Sequence, residues 1–263
     1  MDLGIKNKVA LVCASSKGLG FAVADRLAQE GCKVAITARG LEDLNAAAEE
    51  IGRHSESEVY AFPADVTKTD EMDTFFDGVQ SKLGDPDILV INAGGPPPGN
   101  FDSTSVEDWQ RGFELNLLSA VPLIKRALPK MRENHWGRIL FMVSISAKQP
   151  LQNMLLSNAI RAGVLGMAKT LADEVAKDGI LVNSLLPGFI MTGRMQQVVQ
   201  AQADSLGISF EEKQQQIESQ IPLGRLGQPE EFANVAAFLV SKTASFVTGG
   251  VFMADGGMYR GLV

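Results

Sequence analysis

A chain of 263 residues with 45% apolar content makes either one large α/β domain or two small ones, since doubly wound folds run to this length undivided. The formal charge is −7 at pH 7 and Lys and Arg form no basic stripe, which argues against nucleic acid as a partner. No apolar run approaches the ~18 residues of a membrane span, and no apolar h-region follows Met1-Asp2-Leu3-Gly4-Ile5-Lys6, so the expectation is a cytoplasmic protein without membrane contact.

Short β-branched runs alternate with amphipathic stretches along the chain. Strands are predicted near 8–14, 33–38, 58–62, 88–92, 138–143, 181–186 and 251–254, and helices near 19–29, 41–51, 71–82, 106–131, 158–176 and 229–239. This alternation predicts an α/β doubly wound Rossmann fold, a seven-stranded parallel sheet with helices on both faces, as a single domain over 1–263. Ser105 with Asp108, and Gln228 with Glu231, carry the signature of helix starts. The stretch 189–226, rich in Gln and Met, breaks the alternation and reads as a substrate lid within the domain. Cys13 and Cys32 fall near opposite ends of neighbouring strands, which predicts two small buried hydrophobes and no disulfide.

The first strand leads into Ala14-Ser15-Ser16-Lys17-Gly18-Leu19-Gly20, a small-residue turn that opens an amphipathic helix. Glycines there let the backbone approach a pyrophosphate, which free N–H groups and the positive end of the helix dipole stabilise. The spacing resembles the T-G-x-x-x-G-x-G motif of the short-chain dehydrogenase/reductase family, and the likeness continues along the chain. Asp65-Val66 is similar to the family's adenine-contacting pair and Asn92-Ala93-Gly94 to its N-A-G motif. Pro187-Gly188, with Ile190 and Thr192 beyond, resembles its nicotinamide-side P-G-x-x-x-T, and Thr248-Gly249-Gly250 and Asp255-Gly256-Gly257 are also family-like. The resemblance implies a dinucleotide held by Ala14, Ser16, Lys17, Gly18, Leu19, Gly20 and these later residues. Ala14 stands where the family has its first glycine, and a positive φ would strain it. Arg39, not an acid, follows the second strand; with Lys17 it resembles NADP-preferring members, and two solvated cations are the alternative reading.

Hydride transfer between a carbonyl and a nicotinamide needs a proton donor beside the substrate oxygen. The family uses a tyrosine whose pKa is lowered by a lysine one helical turn on, a serine that polarises the carbonyl and an asparagine that supports a water relay. Carried over by position, Asn116 matches the asparagine and Ser144 the serine. The tyrosine position, thirteen residues beyond Ser144, is Ser157, and the lysine position is Arg161; Ala162-Gly163 and residues 178–183 fix the register. An aliphatic hydroxyl lacks the phenol's delocalised anion and reference pKa of about 10, whereas Arg161 keeps donors for the cofactor's ribose. The two tyrosines present, Tyr60 in a distant strand and Tyr259 in a tail that would reach an active site through an oligomer, read as structural. Lys148 reads as a solvated loop lysine, though it lies four residues after Ser144. His54 and His135 lie outside the predicted cleft, and no Cys/His spacing suits a metal.

Two readings follow. The first is an NADP(H)-dependent oxidoreductase similar to the 3-oxoacyl-acyl-carrier-protein reductases of fatty acid metabolism, acting on a small-molecule carbonyl or alcohol, free or linked to acyl carrier protein or CoA. Arg126, Lys130, Arg132 and Arg138 are its candidate docking patch, and Met191 and Met195 its candidate apolar lid contacts. The second is an NADP(H)-binding regulator or pseudoenzyme that keeps the fold without turnover. Family analogy implies a homotetramer in either case.

Overall fold

Strands covered on both faces read as continuous apolar runs, and here β1 (Val9–Val12), β4 (Ile88–Ile91) and β5 (Gly137–Met142) are buried along their whole length. In the computed structural model, which describes residues 2–262, they join β2 (Lys33–Ala38), β3 (Val59–Pro63), β6 (Ile180–Pro187) and β7 (Val251–Ala254). All seven pair in parallel in the order β3-β2-β1-β4-β5-β6-β7, the doubly wound arrangement expected. Ala10 pairs with Val34 on one side and Ile88 on the other, so the chain reverses its winding between β1 and β4. That reversal opens a crevice at the carboxyl ends of these strands, where ligands bind in folds of this kind.

One layer of helices, α1 (Gly18–Gln29), α2 (Leu41–His54) and α9 (Pro229–Leu239), packs Leu27, Leu44 and Phe232 onto one face. The other face takes α3 (Thr69–Lys82), α5 (Ala120–Glu133) and α6 (Leu155–Val175) through Phe75, Phe76, Leu123 and Val164. Full burial of such side chains stabilises the fold by about 1.5–3 kcal/mol each. Cys13 and Cys32 are both buried and unpaired, and burial pushes each thiol up to about 12.

Two stretches depart from the sequence expectation. The single helix expected over 106–131 is broken: α4 (Val106–Phe113) ends in a π-helical turn, Glu114–Leu118, before α5 begins. Apolar periodicity does not reveal one widened turn, because a single extra residue per turn shifts the pattern too little to break it over so short a stretch. The 189–226 excursion contains α7 (Gly193–Leu206) and α8 (Phe210–Glu218), started by Thr192 and Ser209 as N-caps. Val199, Ile217, Ile221 and Leu226 form a small core of their own with Ile145 and Met258, and Met191 and Met195 pack against it. Bonds from Met191 N–H to Gly227 and from Gly227 N–H to Phe189 close the base of this excursion at 2.8 and 3.0 Å.

Candidate active site

The turn between β1 and α1 is built around two left-handed residues, Ala14 at φ +48° and Gly18 at φ +63°. The strain expected at Ala14 is therefore present. Asn92 Nδ2 donates to the Ala14 carbonyl at 3.1 Å, and buried Ser15 donates from Oγ to the Val12 carbonyl at 2.8 Å. A Cβ on Gly20 would lie 2.3 Å from the Ala14 oxygen, so only glycine lets the helix start this close to the strand end. Lys17, the N-cap of α1, makes no side-chain cap bond, which leaves first-turn N–H groups for an anion.

The remaining positions with a cofactor assignment lie along the same crevice. Asn92, Ala93 and Gly94 follow β4, and a Cβ on Gly94 would meet nothing within 4 Å. Pro187 ends β6, and the next residue, Gly188, passes so close to Asp255 that its Cβ would stand 2.6 Å from that Cα. Thr192, in the 189–226 excursion, brings a methyl to 3.8 Å from the Cβ position of Gly18. Ile190 differs from these in that its side chain is buried in the sheet–helix core. Lys17 pairs with Asp43 at 3.1 Å, Arg39 is exposed, and Leu19, Ser16 and Val66 are half-buried around them. Burial would raise the Asp65 carboxyl, but bonds from Thr67 and the charges of Arg39 and Lys68 bring it below the usual range.

The positions expected to be catalytic lie on three segments after β4, after β5 and in α6. The π turn carries Asn116, whose Nδ2 donates to the Gly94 carbonyl at 2.7 Å while its buried Oδ1 has no partner among the described residues. A π turn is often found at functional sites because it re-aims one side chain without ending the helix. Ser144 follows β5 and accepts from Ser146 N–H at 3.2 Å, which folds the chain into a 3-10 turn. Ser157, in the first turn of α6, is 2% exposed and lies 2.9 Å from the Ser146 hydroxyl. One turn on, buried Arg161 donates from Nη1 to the Val143 carbonyl at 2.8 Å, beside Ser144. Burial and the nearby Arg194 charge push its guanidinium down to about 10, still a cation at neutral pH.

Two residues here escaped the sequence reading. Ser146 had no periodic signal, and Arg194, on α7, stands with its guanidinium nitrogens 3.5 Å from the Cβ position of Gly95. Tyr259 is a correction: its ring lies 4.9 Å from Lys148 Nζ of the same chain, so the tail reaches the serine loop without an oligomer. A second correction concerns the docking patch. Arg126 is held by Asp73 and Asp77, Lys130 by Glu133 and Arg132 by Asp178, while Arg138 is buried and donates to the Ser241 and Gly137 carbonyls. Each of these four cations is therefore paired with a carboxylate or buried. A cavity of about 590 Å³ opens beside the lid base, between Phe189, Ile221, Phe232 and Met253, and none of the catalytic positions lines it.

The fold and this crevice have close counterparts. A family model described as enoyl-(acyl carrier protein) reductase matches residues 13–259. The chain belongs to the short-chain dehydrogenase/reductase family. This family member is 34% identical over 259 residues to the 3-oxoacyl-[acyl-carrier-protein] reductase FabG of Aquifex aeolicus (strain VF5), covering 98% of the present chain and 100% of that one. The L-sorbose reductase of Gluconobacter frateurii, solved with NADPH and L-sorbose, matches with a TM-score of 0.96 and 34% identity over 100% of both chains. A short-chain oxidoreductase of Pseudomonas aeruginosa PAO1, solved with NADPH and described as containing an atypical catalytic center, matches at a TM-score of 0.89 and 31% identity over 97% of each.

Proposed function

We propose that this family member is a reductase of small-molecule carbonyl compounds that works with Ser157 and Arg161 where the family has its tyrosine and lysine. NADP(H) is the cofactor, as in the sorbose reductase, and when bound it supplies the hydride. Among the chain's own residues, Ala14, Gly18 and Gly20 shape the pyrophosphate turn, and Lys17 and Arg39 lie where the 2′-phosphate arrives. The observation that carries the reading is Arg161, a buried cation one helical turn beyond Ser157 and hydrogen-bonded next to Ser144.

The chemistry follows from those positions. The Ser144 hydroxyl donates to the carbonyl oxygen, and negative charge that develops there is stabilised by the Arg161 cation in a poorly solvated corner. Asn116 Oδ1, a buried acceptor awaiting a donor, orders a water or a ribose hydroxyl, and the alkoxide takes its proton from water. Ser157 is engaged with Ser146 and holds the serine loop in place. It supplies no acid near neutral pH, so turnover lacks a general-acid contribution that is typically ~10²–10⁴-fold. The Pseudomonas aeruginosa oxidoreductase, solved with NADPH and described as containing an atypical catalytic center, supports cofactor binding beside a catalytic set that departs from the family's.

Residues 189–226 serve as the substrate lid. Self-association is supported by Val106, Phe113 and Leu118, exposed apolar side chains along one stretch of α4 and the π turn; a homotetramer is the family's usual assembly. An acyl-carrier-linked substrate draws support from the FabG likeness alone, since the docking cations are paired or buried. The unpaired cysteines agree with a cytoplasmic location.

The test follows NADPH and NADH oxidation against aldehydes, ketones and 3-oxoacyl thioesters, with cofactor titrations in parallel. Slow reduction with NADPH, and tighter binding of NADPH than NADH, is the expected result. Tight NADPH binding with no turnover of any carbonyl would favour the regulator reading, which the closed Ser146–Ser157 pair also supports.

A further inference from the structure

Arg161 and Arg194 are two cations that face one corner with no anion between them. Among the described residues neither makes an ion pair, and the one hydrogen bond Arg161 makes is to the Val143 carbonyl. Arg194 makes no hydrogen bond among the described residues; its guanidinium nitrogens stand 3.5 Å from the Cβ position of Gly95, the residue after the Gly94 whose carbonyl accepts from Asn116. The two charges are close enough for Arg194 to lower the pKa of Arg161. Like charges near one another without an acidic partner repel, and an anion bound between them would relieve that repulsion.

Each anionic group of the cofactor already has another place. The pyrophosphate belongs at the Gly18 turn, which Thr192 covers at 3.8 Å, and the 2′-phosphate belongs beside Lys17 and Arg39. Arg194 lies two residues beyond Thr192, on the Gly95 and Asn116 side of the crevice, where the reacting carbonyl sits in the proposed reaction.

We propose that Arg194, with Arg161 behind it, binds a carboxylate carried by the substrate, so that the class reduced is oxo acids whose free carboxylate lies a few bonds from the carbonyl. The inference rests on the reductase reading given above. Arg194 is placed to bind the carboxylate through two N–H groups, and its position on the lid helix couples substrate charge to lid closure.

Acetoacetate and pyruvate, each against its methyl ester, supply the probes. Two measurements are made on the full chain: NADPH oxidation, and calorimetric binding to the NADPH-saturated protein. Wild type is expected to favour acid over ester by ~10–100-fold in kcat/KM and in affinity, and Arg194→Gln to collapse that ratio toward one while Arg194→Lys restores part of it. Equal handling of acid and ester by wild type overturns the proposal. So does an Arg194→Gln protein that keeps the acid preference but binds NADPH at least tenfold more weakly, which would assign the anion to the cofactor. If no probe turns over yet acid binds tenfold more tightly than ester, and Arg194→Gln abolishes the difference, the carboxylate site stands and the reductase reading fails.

Discussion

The two sides of the crevice are built by different means. On the cofactor side the working groups are backbone: a left-handed Ala14, a left-handed Gly18, a Gly20 with no room for a side chain and an uncapped helix start. On the catalytic side they are side chains drawn from three separate segments, Asn116 on a π turn, Ser144 after a strand and Arg161 within α6. A backbone cradle tolerates few changes and keeps its job, whereas a side-chain site changes its chemistry with one substitution. Ser157 at the tyrosine position, as proposed, is thus compatible with a surviving cradle in the same chain.

The sharpest way to break this contrast is at Arg161. Arg161→Ala removes the buried cation and leaves the Val143 carbonyl unpaired, and turnover should fall by ~10²–10³-fold while the turn that holds pyrophosphate is untouched. Steady-state rates on any active carbonyl check it; turnover equal to wild type would mean that the chemistry lies elsewhere. The matching change on the backbone side is Gly20→Ala, whose methyl would collide with the Ala14 oxygen at 2.3 Å and Asn92 Nδ2 at 2.9 Å. Overpacking of this kind costs about 1–3 kcal/mol, and NADPH affinity in a fluorescence titration should drop by ~10–100-fold as the helix start moves away.

Restoring the phenol sharpens the comparison. Ser157 is buried against Ser146, so Ser157→Tyr with Arg161→Lys overfills the corner and should lower stability by about 1–3 kcal/mol. Adding Ser146→Ala makes room, and only then should turnover rise, by ~10-fold or more of the general-acid contribution. A wild type faster than both variants would point to an acid already present, and Lys148 with Tyr259 is where to look. The smallest effect belongs to Ala14→Gly. Relief of a left-handed alanine is worth about 1 kcal/mol, partly offset by the extra freedom of glycine in the unfolded chain, so denaturant midpoints should rise slightly with NADPH affinity retained or improved.

Much of this was legible in the chain itself. Apolar runs separated by amphipathic stretches are local patterns, and such patterns point to a parallel sheet with crossover helices; the seven strands were legible in this way, and the structure added their order. The turn at Ala14 and Gly18 was legible for the same reason, since which residues sit at positive φ is a property of short segments. Tertiary structure decided the rest. The bond from Asn116 to Gly94, the closure of Ser157 on Ser146 and the approach of Arg194 to Arg161 join residues 11 to 33 positions apart, and the contact of Lys148 with Tyr259 spans more than a hundred. The cations first read as a docking patch met their carboxylates in the same way, through pairs such as Arg126 with Asp73 and Arg132 with Asp178. Local periodicity carries no information about such meetings, because the packing of whole elements sets which side chains share a corner, and the charge and burial they find there set their chemistry.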